Sequence, residues 1–450
     1  SRCAQSTDKC RIVTLPGVVS SVSETLSDPL RVLISTDAFP PVCGGSGWST
    51  YELARALRAT GHHVLVTRPR VDRSSSVDIE VYDGFQVLDY QAYSPDIPYV
   101  RNYFKSERLS RRYGNFLRTL IRAERISVVH AQHRLSGPPS IAAANAEGIP
   151  VVCTVRDYWP ICYWSDLIHD YKVTTLCPGC STGMMTQCVR PRAGLAWPLA
   201  LPMIPYMKAN LSMKRRALSQ TSAVIAVSTS MADNLRERAP ELRATRIEQI
   251  PNPINVEAVR KATMGSASPL KSPYALYVGK LATNKGSLKL ISVLEQAKLD
   301  RPLVIVGDGP DRPLLENLAK RSNCDIRFMG WLPRVEALCW MRHASVLIFP
   351  SHGPESLSRV LLEAAALGTP IAAMDTGGTR DIITDEETGL LSNDVDKLGN
   401  DVNRLINDAG LRQRLGQAAK EHVEAIFDAE IVAGRVVKLY RDLIESAALR

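Results

Sequence analysis

The sequence predicts an α/β protein built from two Rossmann-like halves, and three stretches predict it. Residues 29–47 read as a strand, Arg31–Ser35, that runs through Pro40-Pro41 into the glycine loop Gly44-Gly45-Ser46-Gly47. An amphipathic helix over 48–60 and a strand over 63–67 complete a β-loop-α-β opening. Residues 274–286, Tyr-Ala-Leu-Tyr-Val-Gly-Lys-Leu-Ala-Thr-Asn-Lys-Gly, read as a second strand feeding a glycine-containing turn and open the second half. Residues 345–373 read as strand, helix and strand, the helix spanning 356–367 between a Ser start and the stop at Gly368.

Length and composition narrow the class. A chain of 450 residues suggests two or three domains with sizeable cores. Apolar and charged contents of 45% and 22% fit a globular protein rather than a disordered or fibrous one. No run approaches the roughly 18 apolar residues of a spanning helix. Residues 1–30 lack a basic stretch ahead of an apolar core, which predicts no secretory signal. Rich in Ser, Thr and Val without periodicity, they read as a leader with little fixed structure. The net charge of +9 favours anionic partners: nucleotide diphosphates or acidic lipids, and not nucleic acid, for which no motif appears. Ten cysteines, six scattered and four clustered, fit a reducing cytoplasm better than a disulfide scaffold.

The densest chemistry lies in Gly353-Pro-Glu-Ser-Leu-Ser-Arg-Val-Leu-Leu-Glu363. Glu355 falls in the loop at the mouth of the predicted helix, and Glu363 about two turns in, roughly 12 Å along the axis. Free N–H groups at the helix start attract a phosphate, and the two carboxylates accept hydrogen bonds from hydroxyls. That pattern suits a sugar and a ribose flanking a diphosphate. Two solvated glutamates on an ordinary strand-helix-strand unit are the alternative.

Glu355 and Glu363, followed by Gly368-Thr-Pro, Gly377-Gly378 and Thr388-Gly-Leu-Leu, resemble the nucleotide-sugar site of the retaining GT-B glycosyltransferases of family 4. The resemblance implies that Glu355 meets the donor sugar and Glu363 the ribose. It carries Ser356, Leu357 and Ser358 where that family usually has Phe-Gly after the first Glu. The N-terminal segment with Gly44 and Gly45 resembles the family's loop that touches the donor phosphate and the acceptor. Lys280 and Lys285, beside Gly279, stand where the family has Arg and Lys; two cations there can neutralise a leaving diphosphate. The backbone around Trp331, in Gly330-Trp-Leu-Pro333, stands where the family reads the nucleotide base. His130, Gln132 and His133 end the strand that begins at Ser127. A histidine there is either structural or, as the resemblance implies, near the donor sugar; Gln132 replaces the usual second His, and His133 is its substitute. Arg156-Asp157 replaces the usual His-Asp. The Asp-Val-Asp at 394–396 is in a late polar loop far from these motifs, so no divalent cation is expected in catalysis.

Within the first half lies an insertion, residues 158–220. Cys162, Cys177, Cys180 and Cys188 have a spacing that suits zinc or an iron–sulfur cluster, with free thiols and disulfides as alternatives. A subset of family 4 resembles this pattern. Residues 171–231 hold no acid but seven cations: Lys172, Arg190, Arg192, Lys208, Lys214, Arg215 and Arg216. They also hold an apolar run with Trp197 and Tyr206, which reads as a membrane-interface patch or a core segment. The segment 101–126 reads as a basic amphipathic helix, lying on an anionic membrane or simply solvated on one face.

The resemblance thus implies a GT-B fold: a leader (1–30), a first Rossmann-like acceptor domain (31–250), a second nucleotide-sugar domain (251–425) and a helix (426–450) crossing back. It implies a cytoplasmic retaining transferase of surface polysaccharide or glycoconjugate biosynthesis, peripheral at the plasma membrane. The donor is a UDP- or GDP-sugar, the acceptor a glycan or lipid-linked molecule, and catalysis requires no cofactor. A GT-B sugar-nucleotide epimerase or phosphorylase, or a non-catalytic nucleotide-sugar binding protein, are the alternatives.

Overall fold

The computed structural model describes residues 28–72, 76–96, 103–169 and 177–449. Most of the expected leader, residues 1–27, together with Arg101 and Lys172, lies outside the described residues. The described residues form two sheets, both largely parallel. The first contains β1 (Arg31–Ser35), β2 (His63–Asp72), β3 (Val77–Tyr82), β4 (Phe85–Tyr93), β5 (Val128–Ala131), β6 (Val151–Val155), β7 (Ala223–Ala226) and β8 (Ile247–Gln249). Their order is β3-β4-β2-β1-β5-β6-β7-β8, with only β3 and β4 antiparallel. The second contains β9 (Ala275–Val278), β10 (Leu303–Val306), β11 (Ile326–Gly330), β12 (Val346–Phe349), β13 (Ile371–Met374) and β14 (Leu390–Ser392), in the order β11-β10-β9-β12-β13-β14 and wholly parallel.

Central strands such as β5, β6, β7, β12 and β13 are buried along their whole length, because helices cover both faces of each sheet. Leu33, Val129 and Val155 pack on one side of the first sheet, and Val32, Ile34 and Val128 on the other. The last helix, Ala429–Ala448, supplies Val436, Leu439 and Tyr440 to that second layer. Fully burying an aliphatic or aromatic side chain contributes about 1.5–3 kcal/mol, so this docking ties the C-terminus firmly to the first half. The link at 251–254 is stitched to the same place: Ile254 N–H donates to Phe427 O (2.9 Å) and Ala429 N–H to Ile254 O (2.9 Å).

Strand order reverses between β1 and β5 in one sheet and between β9 and β12 in the other. In doubly wound sheets, ligands bind outside the carboxyl ends of the strands at these switch points. The loops after β1, β5, β9 and β12 carry the glycine loop, His133, Lys280 with Lys285, and Glu355.

Two helix starts differ from expectation. The first helix begins at Gly45 rather than 48, so most of the glycine loop is its opening turn. The helix carrying Glu363 spans Arg359–Leu367, not 356–367. Residues 356–358 stay outside the helix because Leu357 is buried in the core of the second half and Gly378 N–H holds Glu355 O at 2.8 Å. The basic segment forms a helix over Leu109–Ala123 behind one π turn at Phe104–Arg108.

Candidate active site

A cavity of about 260 Å3 opens where the two halves meet. On the second half, β9 ends at Val278 and the chain turns through Gly279, Lys280 and Lys285. The turn closes tightly: Gly286 has φ of 71°, and a Cβ there would sit 1.9 Å from Pro350 O. This brings Lys285 Nζ to within 2.6 Å of Glu355 Oε1. Ser351 Oγ donates to the same oxygen at 2.5 Å. Glu355 is buried, and its backbone lies against the Gly377-Gly378 pair, where a Cβ on Gly377 would be 2.1 Å from Glu355 O. Lys280, Gly279, Ser356, Leu357 and Ser358 line the cavity with Lys285 and Glu355.

Two helix N-termini converge on this space. Neither Gly44 nor Ser358 caps its helix with a side chain, so free N–H groups remain at Gly45–Ala59 and Arg359–Leu367. Gly45 lets them meet: its Cβ position is 3.2 Å from Arg359 Cβ. Their dipoles add to the two lysines and make the cavity attractive to an anion. Gly45 lines the cavity, while Gly44 is exposed at its edge.

Glu363 does not stand free. Its Oε1 accepts from Arg334 Nε (2.9 Å) and Arg359 Nε (3.1 Å). Arg359 reaches across to the first half and donates to Glu52 (3.2 Å) and Ser49 Oγ (3.3 Å). Burial pushes the Glu52 carboxyl up against the pull of Arg359 and Arg334. The result is a buried ionic chain, Glu52–Arg359–Glu363–Arg334, that joins the halves beside the cavity.

On the first half, the fully buried Arg156 lines the cavity. Its Nε donates to Asn252 Oδ1 (2.7 Å) and its Nη1 to the Gln132 side chain, both neutral partners. Burial pulls its pKa down to about 9, leaving it charged at neutral pH. His133 lies behind this layer, and its Nδ1 accepts from Asp37 N–H (3.3 Å). That bond places the proton on Nε2, which is buried without a partner among the described residues. Burial and the nearby Arg156 hold His133 neutral, down to about 3.

His130 departs from the expected donor role. Its Nδ1 meets Tyr440 Oη at 2.5 Å and its Nε2 meets Thr154 Oγ1 at 2.7 Å. Its side chain leaves β5 on the face covered by the returning helix, so both ring nitrogens are engaged inside the core. Trp331 is 77% exposed after β11 and outside the cavity lining. Sequence reasoning missed Glu52, Arg334 and Asn252, which act across the two halves and leave no local pattern. Arg359 did leave one, standing four residues before Glu363 on the same helix face.

In the insertion, Cys162, Cys177 and Cys188 are buried and Cys180 is half-buried. A hydrogen bond from Cys180 pulls the Cys162 thiol down to about 6, and Cys180 is pushed up in return. Cys177 Sγ points at Gly179 O (3.5 Å) and Cys180 Sγ at Ile161 O (3.6 Å). Among the described residues, no group of three or more His, Cys, Asp or Glu stands in a geometry that holds a metal ion. The basic stretch offers fewer free cations than its sequence suggests. Arg192 binds Asp166 (2.7 Å), Arg215 binds Pro160 O (2.7 Å) and Lys214 is buried. Tyr206 turns inward and donates to Glu107 (3.2 Å), whereas Leu195 and Leu199 are fully exposed. Among the described residues, no helix is long and apolar enough to cross a membrane.

The family described as Glycosyltransferase Family 4 matches residues 43–258, and the family described as Glycosyl transferases group 1 matches residues 261–422. Together they span most of the chain. Glycogen synthase of Mycobacterium tuberculosis (strain ATCC 25618 / H37Rv) is 28% identical over 438 residues, covering 91% of this chain and 94% of that protein. Phosphatidyl-myo-inositol mannosyltransferase of Mycobacterium leprae is 29% identical, over 49% of this chain and 60% of that one. Among solved structures, sucrose-phosphate synthase from Thermosynechococcus elongatus superposes with a TM-score of 0.69 at 22% identity, covering 92% of this chain and all of that one. Anabaena Alr3699/HepE in complex with UDP gives 0.62 at 16% identity, with 92% and 100% covered.

Proposed function

The chain belongs to the family-4 glycosyltransferases of GT-B fold, and from that premise we propose that it transfers a sugar from a nucleotide-sugar donor to a glycan or lipid-linked acceptor, with retention and without a metal ion. The observation that carries this reading is the Lys285–Glu355 pair, 2.6 Å apart in a cavity on which two uncapped helix starts converge. A relative of the same fold holds UDP. In the proposed reaction the bond from the anomeric carbon to the phosphate oxygen breaks, and the diphosphate leaves with the electron pair. Lys280, Lys285 and the helix N–H groups stabilise its charge. The acceptor hydroxyl attacks from the same face and passes its proton to the departing phosphate. Glu355 positions the sugar hydroxyls, and Glu363 takes the ribose by exchanging one of its arginine contacts. His133 offers its Nε2–H from behind.

The proposed setting is the cytoplasmic face of the plasma membrane, in surface polysaccharide or glycoconjugate synthesis. Exposed Leu195 and Leu199, with Arg190 over the neighbouring Trp197 ring, support contact with anionic lipid. The four clustered cysteines are proposed to hold zinc or an iron–sulfur cluster, supported by the contact between the Cys162 and Cys180 thiols and the burial of Cys177 and Cys188. Elemental analysis of anaerobically purified protein tests this: below about a tenth of an equivalent of both zinc and iron, free thiols or disulfides are the better reading.

A panel of UDP- and GDP-sugars with glycan and lipid-linked acceptors tests the reaction. Free nucleoside diphosphate plus a product of the donor's anomeric configuration supports it. An epimerised donor or a sugar phosphate points to the other GT-B chemistries, and donor binding without turnover points to a binding protein.

A further inference from the structure

The helices Leu109–Ala123, Gly137–Ala146 and Met203–Leu218 enclose a groove of about 480 Å3 that the transfer reaction does not use. Its floor is apolar, made by Pro139, Ala142, Ala143 and Ala146 from one helix and Met213 and Ala217 from another. Spacings of three and four keep each set on one helix face. At one end stands Lys214, only 6% exposed. Its ammonium lies 5.4 Å from the Tyr163 ring centroid, and among the described residues no oxygen accepts a hydrogen bond from it. Arg134 lines the same end and makes no ion pair among the described residues.

The nearby carboxylates Glu107 and Asp157 attract Lys214 through space without accepting a hydrogen bond from it, and Glu107 Oε2 is buried without a partner among the described residues. Glu107, on the groove wall, accepts from Tyr206 Oη (3.2 Å) and Asn210 Nδ2 (3.5 Å). Asp157 is buried and accepts from Trp159 N–H (2.9 Å). Burial and the charge of Arg134 push Lys214 down to about 8. A buried ammonium without an acceptor is costly, and an anion bound between the two cations removes that cost. Arg134 directly follows His133, which lies behind the Arg156 layer of the cleft.

We propose that this groove holds an amphiphilic phosphate, its phosphate between Lys214 and Arg134 and its hydrocarbon along the Pro/Ala/Met floor. A phosphate monoester brings a charge of about −1.5 to −2 and three acceptor oxygens, enough for both cations. The floor has no aromatic face and few polar groups for a nucleotide base, and suits an alkyl chain. Calling the bound molecule the acceptor rests on the transferase reading; its binding does not.

Calorimetric titration of the full chain with octyl phosphate, octanol and inorganic phosphate, each below any micelle threshold, tests the site. Octyl phosphate should bind at least tenfold more tightly than either fragment. The double variant Arg134→Gln, Lys214→Gln should lose at least tenfold in octyl phosphate affinity. Ala142→Trp, which fills the floor and leaves both charges, should lose octyl phosphate but keep weak inorganic phosphate. UDP affinity should stay unchanged in both variants, showing that the fold survives. Octyl phosphate binding no more tightly than inorganic phosphate, being displaced by UDP, or binding both variants like the parent overturns the proposal. If UDP fails to bind the parent chain, the donor reading falls, and octyl phosphate still decides the groove.

Discussion

On the six-stranded side of the cleft, Glu355 meets a lysine and a serine hydroxyl, and Lys280 lines the same wall. On the eight-stranded side, the corresponding layer is one buried arginine held by two side-chain amides, backed by a neutral histidine. The first wall keeps its charges paired yet open to the cavity, ready to exchange a partner for a ligand. The second gives its polar groups fixed neutral partners in the protein. A charged ligand group can compete with an ion pair at the cavity mouth far more easily than with a buried amide fork. In the proposed reaction, donor chemistry therefore belongs to the second half, and the first half shapes and orients.

Arg156→Gln is the sharpest way to break this contrast. It leaves the Gln132 and Asn252 oxygens without their donor, at about 1–3 kcal/mol for each unsatisfied group. It also removes the one cation that, among the described residues, the first half's strand ends present to the cavity. Chemical denaturation should show a loss of at least 2 kcal/mol, and donor turnover should fall by roughly tenfold; Arg156→Lys restores charge without the fork. Unchanged stability would make Arg156 a solvated group and erase the difference between the walls.

Glu363→Ala should raise the donor KM by about tenfold with a smaller change in kcat, since a ribose contact is made in ground and transition states alike. It also strips Arg334 and Arg359 of their shared carboxylate. A KM equal to the parent's would mean that Glu363 only bridges the halves.

Tyr440→Phe tests the other side through the smallest effect on chemistry. It removes the partner of His130 Nδ1 and should lower stability by about 1–3 kcal/mol while leaving donor KM within twofold. The pH dependence carries the same signature. Burial holds His130 at about 3, below its ordinary 6.5, so the unfolded chain binds the extra proton. Stability from this group is therefore present above pH 6.5 and is lost as pH falls from 6.5 toward 3. His130→Asn should flatten that slope; an unchanged slope together with a raised donor KM would return His130 to the donor site.

Much of this was legible in the residues. Lys285 and Glu355 sit in short strand-end loops whose positions follow from the strand pattern, and the switch points bring those loops together. His130 was not placed correctly because β5 is buried on both faces, so alternation does not say which face meets the cleft. The helix that carries Glu363 starts later than the pattern predicts because Leu357 and the contact of Gly378 with Glu355 O, more than twenty residues apart in sequence, hold 356–358 outside it. The residues of the Glu52–Arg334 chain belong to three separate segments, and only folding brings them together.

The central claim is that protein cations, not a metal ion, neutralise the leaving diphosphate beside Glu355. Initial transfer rates of the parent and of Lys285→Ala, each with excess EDTA and with excess Mg2+, test it most directly. The account predicts equal parent rates in the two conditions and a fall of roughly 10²-fold or more in kcat for Lys285→Ala in both. A parent rate abolished by EDTA and restored by Mg2+, with Lys285→Ala near the parent, would contradict it.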